Sequence, residues 1–95
     1  MTQNAVPDTP FAVVQWLDAW ADAHDSASAS DVGLKHKSVA MRTAGWLLAD
    51  NEAGVSLFSE FCSEDETYRS RTFIPRAMIV SVAVVRLVKP RTPKP

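Results

Sequence analysis

Three side chains of this 95-residue sequence have the chemistry of metal ligands or nucleophiles: His24, His36 and Cys62. They are scattered, without the close pairs from which four-ligand zinc sites are built, and no metal or cofactor is expected. The nearest approach to an acid–base pair is Asp18 with Asp22, or the run Glu64-Asp65-Glu66. Nothing beside either group would hold one carboxyl neutral while its neighbour ionises, so both read as solvated. Gly33, Gly45 and Gly54 stand alone and form no phosphate-cradling loop, and no serine lies in a nucleophile-elbow pattern. Catalysis is therefore not expected.

Residues suited to binding are better organised. Tyr68-Arg69-Ser70-Arg71 is followed by Phe73 and Arg76. On a strand, Arg69 and Arg71 project from one face about 7 Å apart, a spacing that suits neighbouring phosphates or carboxylates. Aromatic and arginine side chains interleaved in this way also hold single-stranded nucleic acid. The competing reading is a solvated sheet face whose arginines pair with Glu60 or other acids across the strands. Trp20 stands where an apolar stretch runs into polar residues, a position from which an indole can anchor a partner or stack on a base. Trp46, in an apolar strand, reads as core.

Charge reinforces the arginine face. Residues 1–66 hold all 11 acids against Lys35, Lys37 and Arg42, a net of −8, whereas residues 67–95 hold seven cations and no acid. The total is only −1. Either the basic half serves an anionic partner, with Lys89, Arg91 and Lys94 extending the surface, or adjacent strands bring the halves together and the fields cancel.

The elements that must position these residues follow from pattern. Residues 1–10, with two prolines and no apolar period, read as a disordered arm. Residues 23–37 (AHDSASASDVGLKHK) read as a mobile loop, and 89–95 (KPRTPKP) as a basic Pro-rich tail. Between them, residues 11–88 form a single domain. Val39–Leu48 reads as a strand kinked at Gly45, and Val55–Phe61 as its hairpin partner across Asp50–Gly54. Tyr68–Ile74 alternates as a third strand. A 3₁₀ turn at Pro75–Met78 precedes a largely buried final strand over Ile79–Val88. Thr9–His24 admits two readings. Val13, Trp16, Leu17, Trp20 and His24 sit at helical spacing behind a Thr9-Pro10 start, while Val13-Val14 is β-branched and a helix would leave the sheet one strand short.

The runs VVQWLDA (Val13–Ala19), TAGWLLADNE (Thr43–Glu52), VSLFSE (Val55–Glu60) and RTFIPRAMIVSV (Arg71–Val82), in this order, resemble a family of small proteins of tailed bacteriophages and prophages. That family carries a Val-x-Trp-x-Asp opening and an Ile-Pro-Arg/Lys-x-x-Ile turn; here the most specific piece is Ile74-Pro75-Arg76 to Ile79. The resemblance implies an all-β, five-stranded antiparallel barrel of the SH3-like or Sm-like sort, with Val13–Leu17 as a strand. It implies no shared activity. The longer Ala/Ser loop and the basic tail depart from the family pattern.

The expected role is that of a phage-type accessory protein that binds a partner such as a host protein, without catalysis. A nucleic-acid or nucleotide-binding barrel using the arginine face is the alternative, and a structural virion component the third reading. The single cysteine, the polar N-terminus and the absence of a long apolar run fit a cytoplasmic protein that does not enter a membrane. Unpaired strand edges leave self-association open.

Overall fold

The computed structural model describes residues 7–88. Five strands, β1 (Phe11–Asp18), β2 (Val39–Asn51), β3 (Gly54–Cys62), β4 (Thr67–Pro75) and β5 (Ile79–Val85), form one antiparallel sheet in the order β4-β3-β2-β1-β5. Two 3₁₀ turns, Val32–Lys35 and Arg76–Met78, are the only helical elements among the described residues. The second leads from β4 into β5, as the Pro75-Arg76 sequence predicts. Residues 1–6 of the expected 1–10 arm, and the tail at 89–95 with Lys89, Arg91 and Lys94, lie outside the described residues.

Of the ambiguous Thr9–His24 segment, Phe11–Asp18 is a strand. β1 pairs with β2 along its whole length and with β5 from Phe11 to Trp16, so two ladders of hydrogen bonds override a helical spacing that would satisfy neither neighbour.

β2 explains the shape of the sheet. Its residues Val39–Trp46 pair with β1, whereas Trp46–Asn51 pair with β3, so Trp46 alone faces both strands. The strand turns from one ladder to the other at Gly45. A side chain there would sit 2.7 Å from the Phe58 carbonyl oxygen, and only glycine admits this close approach. One residue of slack between Leu47 and Ala49 adds a bulge, which increases the local twist. Folded in this way, the β1–β2–β5 half of the sheet packs against the β2–β3–β4 half. The fully buried residues come from both: Ala12 and Val14 from the first, Val55, Leu57 and Ile74 from the second. Trp16, Leu47, Met78, Ile79 and Val82 close around them. β4 and β5 are not hydrogen-bonded to each other, and the sheet is open between them.

A second cluster holds the opposite face. Phe11, Trp46 and Phe58 are register partners and share a side. The Phe11 ring meets the Trp46 indole edge-on at 5.3 Å, and Tyr68 lies 5.1 Å from Phe61 and 6.0 Å from Phe58. Ser70, at φ 62°, breaks the alternation of β4 between Tyr68 and Arg71. The segment before β1 is tied down over this cluster: the Pro10 carbonyl accepts from the Leu47 amide, and Thr9 shares a hydrogen bond with the Tyr68 hydroxyl. Trp46 is thus packed among aromatic rings rather than in the main core, and its indole N–H is buried without an acceptor among the described residues.

The expectation of a largely buried last strand is corrected. β5 lies at the edge of the sheet, where Val80 and Val84 are 55% and 64% exposed and Val85 is exposed as well.

Candidate functional site

The structure separates the candidate binding residues into two groups. The first is the arginine face. In β4, Arg69 stands opposite Glu60 in register, Arg71 opposite Phe58 and Phe73 opposite Ser56. Each arginine has a partner within the chain. Arg69 pairs with Asp65 at 3.6 Å, both side chains more than half exposed, an arrangement that contributes little to stability in water. Arg71 lays its guanidinium over the Phe58 ring at 5.6 Å and donates from Nε and Nη2 to the hydroxyl of the buried Ser56. Arg76 forms an ion pair with Asp50 and donates to the Asn51 carbonyl, which clamps the turn after β4 to the β2–β3 hairpin. Arg76 is thus engaged with the β2–β3 hairpin. Tyr68 is half-buried in the aromatic cluster, with its hydroxyl already bonded to Thr9.

The Ser63–Glu66 turn is built from its own side chains. Asp65 accepts from the Thr67 hydroxyl at 2.6 Å and from the Thr67 amide. The Thr67 hydrogen bond, then one from Cys62, hold its carboxyl below the ordinary value of 3.8, with Arg69 a lesser contributor. A lowered carboxylate adds stability that is present above its unfolded value and is lost as pH falls through the folded one. The Asp65 side chain is more than half exposed, and its part is local.

The second group surrounds Trp20. Beyond the last pairs of the β1–β2 ladder, Leu17 with Ala40 and Asp18 with Val39, the chain extends as the 19–38 connection, all of it exposed. Trp20 is 45% exposed, yet its orientation is set: its Nε1–H donates to the Lys37 carbonyl at 2.7 Å, across seventeen positions of sequence. The indole lines a cleft of about 440 Å³ together with Asp25, Leu34 and His36, and a second groove together with Lys37 and Val39. Val32 and Leu34 line the cleft and Val39 the groove, and all three are exposed. Lys35 pairs with Asp25 at 3.6 Å, while Lys37 carries no carboxylate partner among the described residues. An oriented aromatic plate, a rim of aliphatic side chains and a free ammonium group can seat an apolar side chain and pair with an adjacent carboxylate.

Sequence reading singles out Trp20 but takes Leu34, Lys35 and Lys37 only as loop residues. The Lys35-His36-Lys37 run was the one available signal, and it gains meaning only when the Trp20–Lys37 hydrogen bond folds the run back onto the indole.

Among the described residues no three His, Cys, Asp or Glu side chains cluster as metal ligands, and no helix is long and apolar enough to cross a membrane. No family model, curated protein or solved structure matches the chain.

Proposed function

We propose that this chain is a non-enzymatic binding protein that docks a segment of a partner protein on the Trp20 end of its β1–β2 hairpin. The carrying observation is that Trp20 is exposed and yet fixed in orientation by the Lys37 carbonyl. A fixed, accessible indole loses little conformational freedom on binding, which is what makes aromatic anchors effective. The free Lys37 and the aliphatic rim favour a segment that carries both apolar and acidic side chains.

In this reading the domain is a small barrel of the SH3-like or Sm-like sort. The support is the passage of β2 through both halves of the sheet, the core enclosed between those halves, and the 3₁₀ turn between β4 and β5. The resemblance to small phage proteins makes a host protein in the bacterial cytoplasm the partner to seek. The nucleic-acid alternative is less well supported: Arg69 and Arg76 would have to exchange carboxylates, and Arg71 a stacked ring, for phosphates.

The test is photo-crosslinking in bacterial cytoplasm with a photoreactive residue at Leu34, followed by affinity measurement on the captured protein. Trp20→Ala should weaken binding about 30-fold or more, the loss typical of an interface anchor of at least about 2 kcal/mol. Its melting temperature should stay near wild type, because Trp20 lies outside the core. Arg69→Ala with Arg71→Ala should leave the affinity unchanged. A partner whose affinity falls with the arginine pair and not with Trp20 would move the function to β4.

A further inference from the structure

We propose that the free edge of β5 is a self-association surface, on which a second copy of this chain pairs its own β5 antiparallel about a two-fold axis at Ala83. This surface is independent of Trp20.

Among the described residues β5 is hydrogen-bonded to β1 alone, so the backbone groups along its other side have no strand partner. Such an edge templates pairing unless it is guarded by charge, proline or a bulge. From Ser81 to Val85 β5 has none of these: the sequence is Ser-Val-Ala-Val-Val, and the register irregularity opposite Gln15 and Trp16 falls before it. Val84 and Val85 of this edge are left in water, Val84 being 64% exposed. The other edge of the sheet is guarded. β4 carries Arg69 and Arg71, is broken by the left-handed Ser70, and ends in Pro75, which has no N–H to donate. A head-to-tail β4–β5 contact would set a broken, charged strand against a regular apolar one.

A second β5 matches in both respects. With the axis at Ala83, Val82 faces Val84 and Ser81 faces Val85 from each side, while the smallest side chain of the segment meets its own copy at the centre. Arg86 falls beyond this five-residue core and opposite Val80, well away from the Arg86 of the other copy. Because the contact is isologous, it closes at two copies and leaves no free β5 edge for further growth.

Sedimentation velocity of the full chain from micromolar to millimolar concentration provides the first test. The wild type should reach the mass of a dimer and no higher. Val84→Lys, which places an ammonium group against Val82 twice per dimer, should stay at monomer mass with an unchanged circular dichroism spectrum. Position is tested separately in a Cys62→Ser background. Ala83→Cys should form a disulfide-linked dimer rapidly under mild oxidation, whereas Ala49→Cys, exposed on β2, should not. A wild type that is monomeric throughout, masses that grow beyond two copies, a dimer that survives Val84→Lys, or equal crosslinking at positions 83 and 49 would each overturn the proposal.

Discussion

Replacing Gly54 by alanine should cost about 2–5 kcal/mol, combining a backbone conformation unfavourable to any L side chain with overpacking of a closed site. Gly54 opens β3 at φ 153°, and a Cβ at that position would strike the Ile74 carbonyl oxygen and the Phe73 ring. The carbonyl cannot withdraw without breaking the pairing of Gly54 with Pro75 and of Val55 with Ile74 that joins the two strands. A domain of this length is stable by about 5–14 kcal/mol in total, so the loss takes a large part of it. A urea titration with an unchanged slope and a much lower midpoint is the expected record. A midpoint near wild type would mean that the β2–β3 hairpin yields where the packing says it cannot.

Leu57→Ala is the second large effect, at about 2–5 kcal/mol. Leu57 is 1% exposed, and Ala12, Val14, Val55 and Ile74 form the rest of the fully buried cluster. Five such residues make a small core, and a void at its centre is bordered by both halves of the folded sheet. Neither half can close the gap without shifting the Trp46–Asn51 ladder. The lost stability should appear in thermal and urea unfolding alike. A cost below about 1 kcal/mol would place the main apolar burial elsewhere, in the Trp46–Tyr68 aromatic cluster.

These effects trace what could and could not be read from the sequence. Period-two alternation located β3 and β4, and Pro75-Arg76 located the 3₁₀ turn, because local backbone preference and side-chain alternation settle such elements. Gly45 signalled the kink in β2 for the same reason. Thr9–His24 was ambiguous because Val13, Trp16 and Trp20 sit at helical spacing while Val13-Val14 is β-branched, and its state is decided by β2 and β5, which lie far away in sequence. The β-branched run of β5 suggested burial, but the same run serves an inner or an edge strand, and only the strand order separates the two. Arg69 and Arg71 were legible as a pair on β4. Their partners were legible only in part: acids across the strands were an expected alternative, whereas the Phe58 ring under Arg71 and the Asp50 clamp on Arg76 depend on register. The cleft beside Trp20 has no local signature, since it exists through a hydrogen bond spanning most of a polar connection.

The most direct measurement of the central claim is a heteronuclear NMR titration of the full-length labelled chain, first with short peptides combining leucine or phenylalanine with aspartate or glutamate, then with single-stranded oligonucleotides. Binding on the β1–β2 hairpin predicts that the peptides move the Trp20 indole N–H resonance and the amides of Leu34–Met41, and that Trp20→Ala abolishes these shifts. Shifts confined to Arg69, Arg71 and Phe73, produced by the oligonucleotides and fading steeply with added salt, would contradict it.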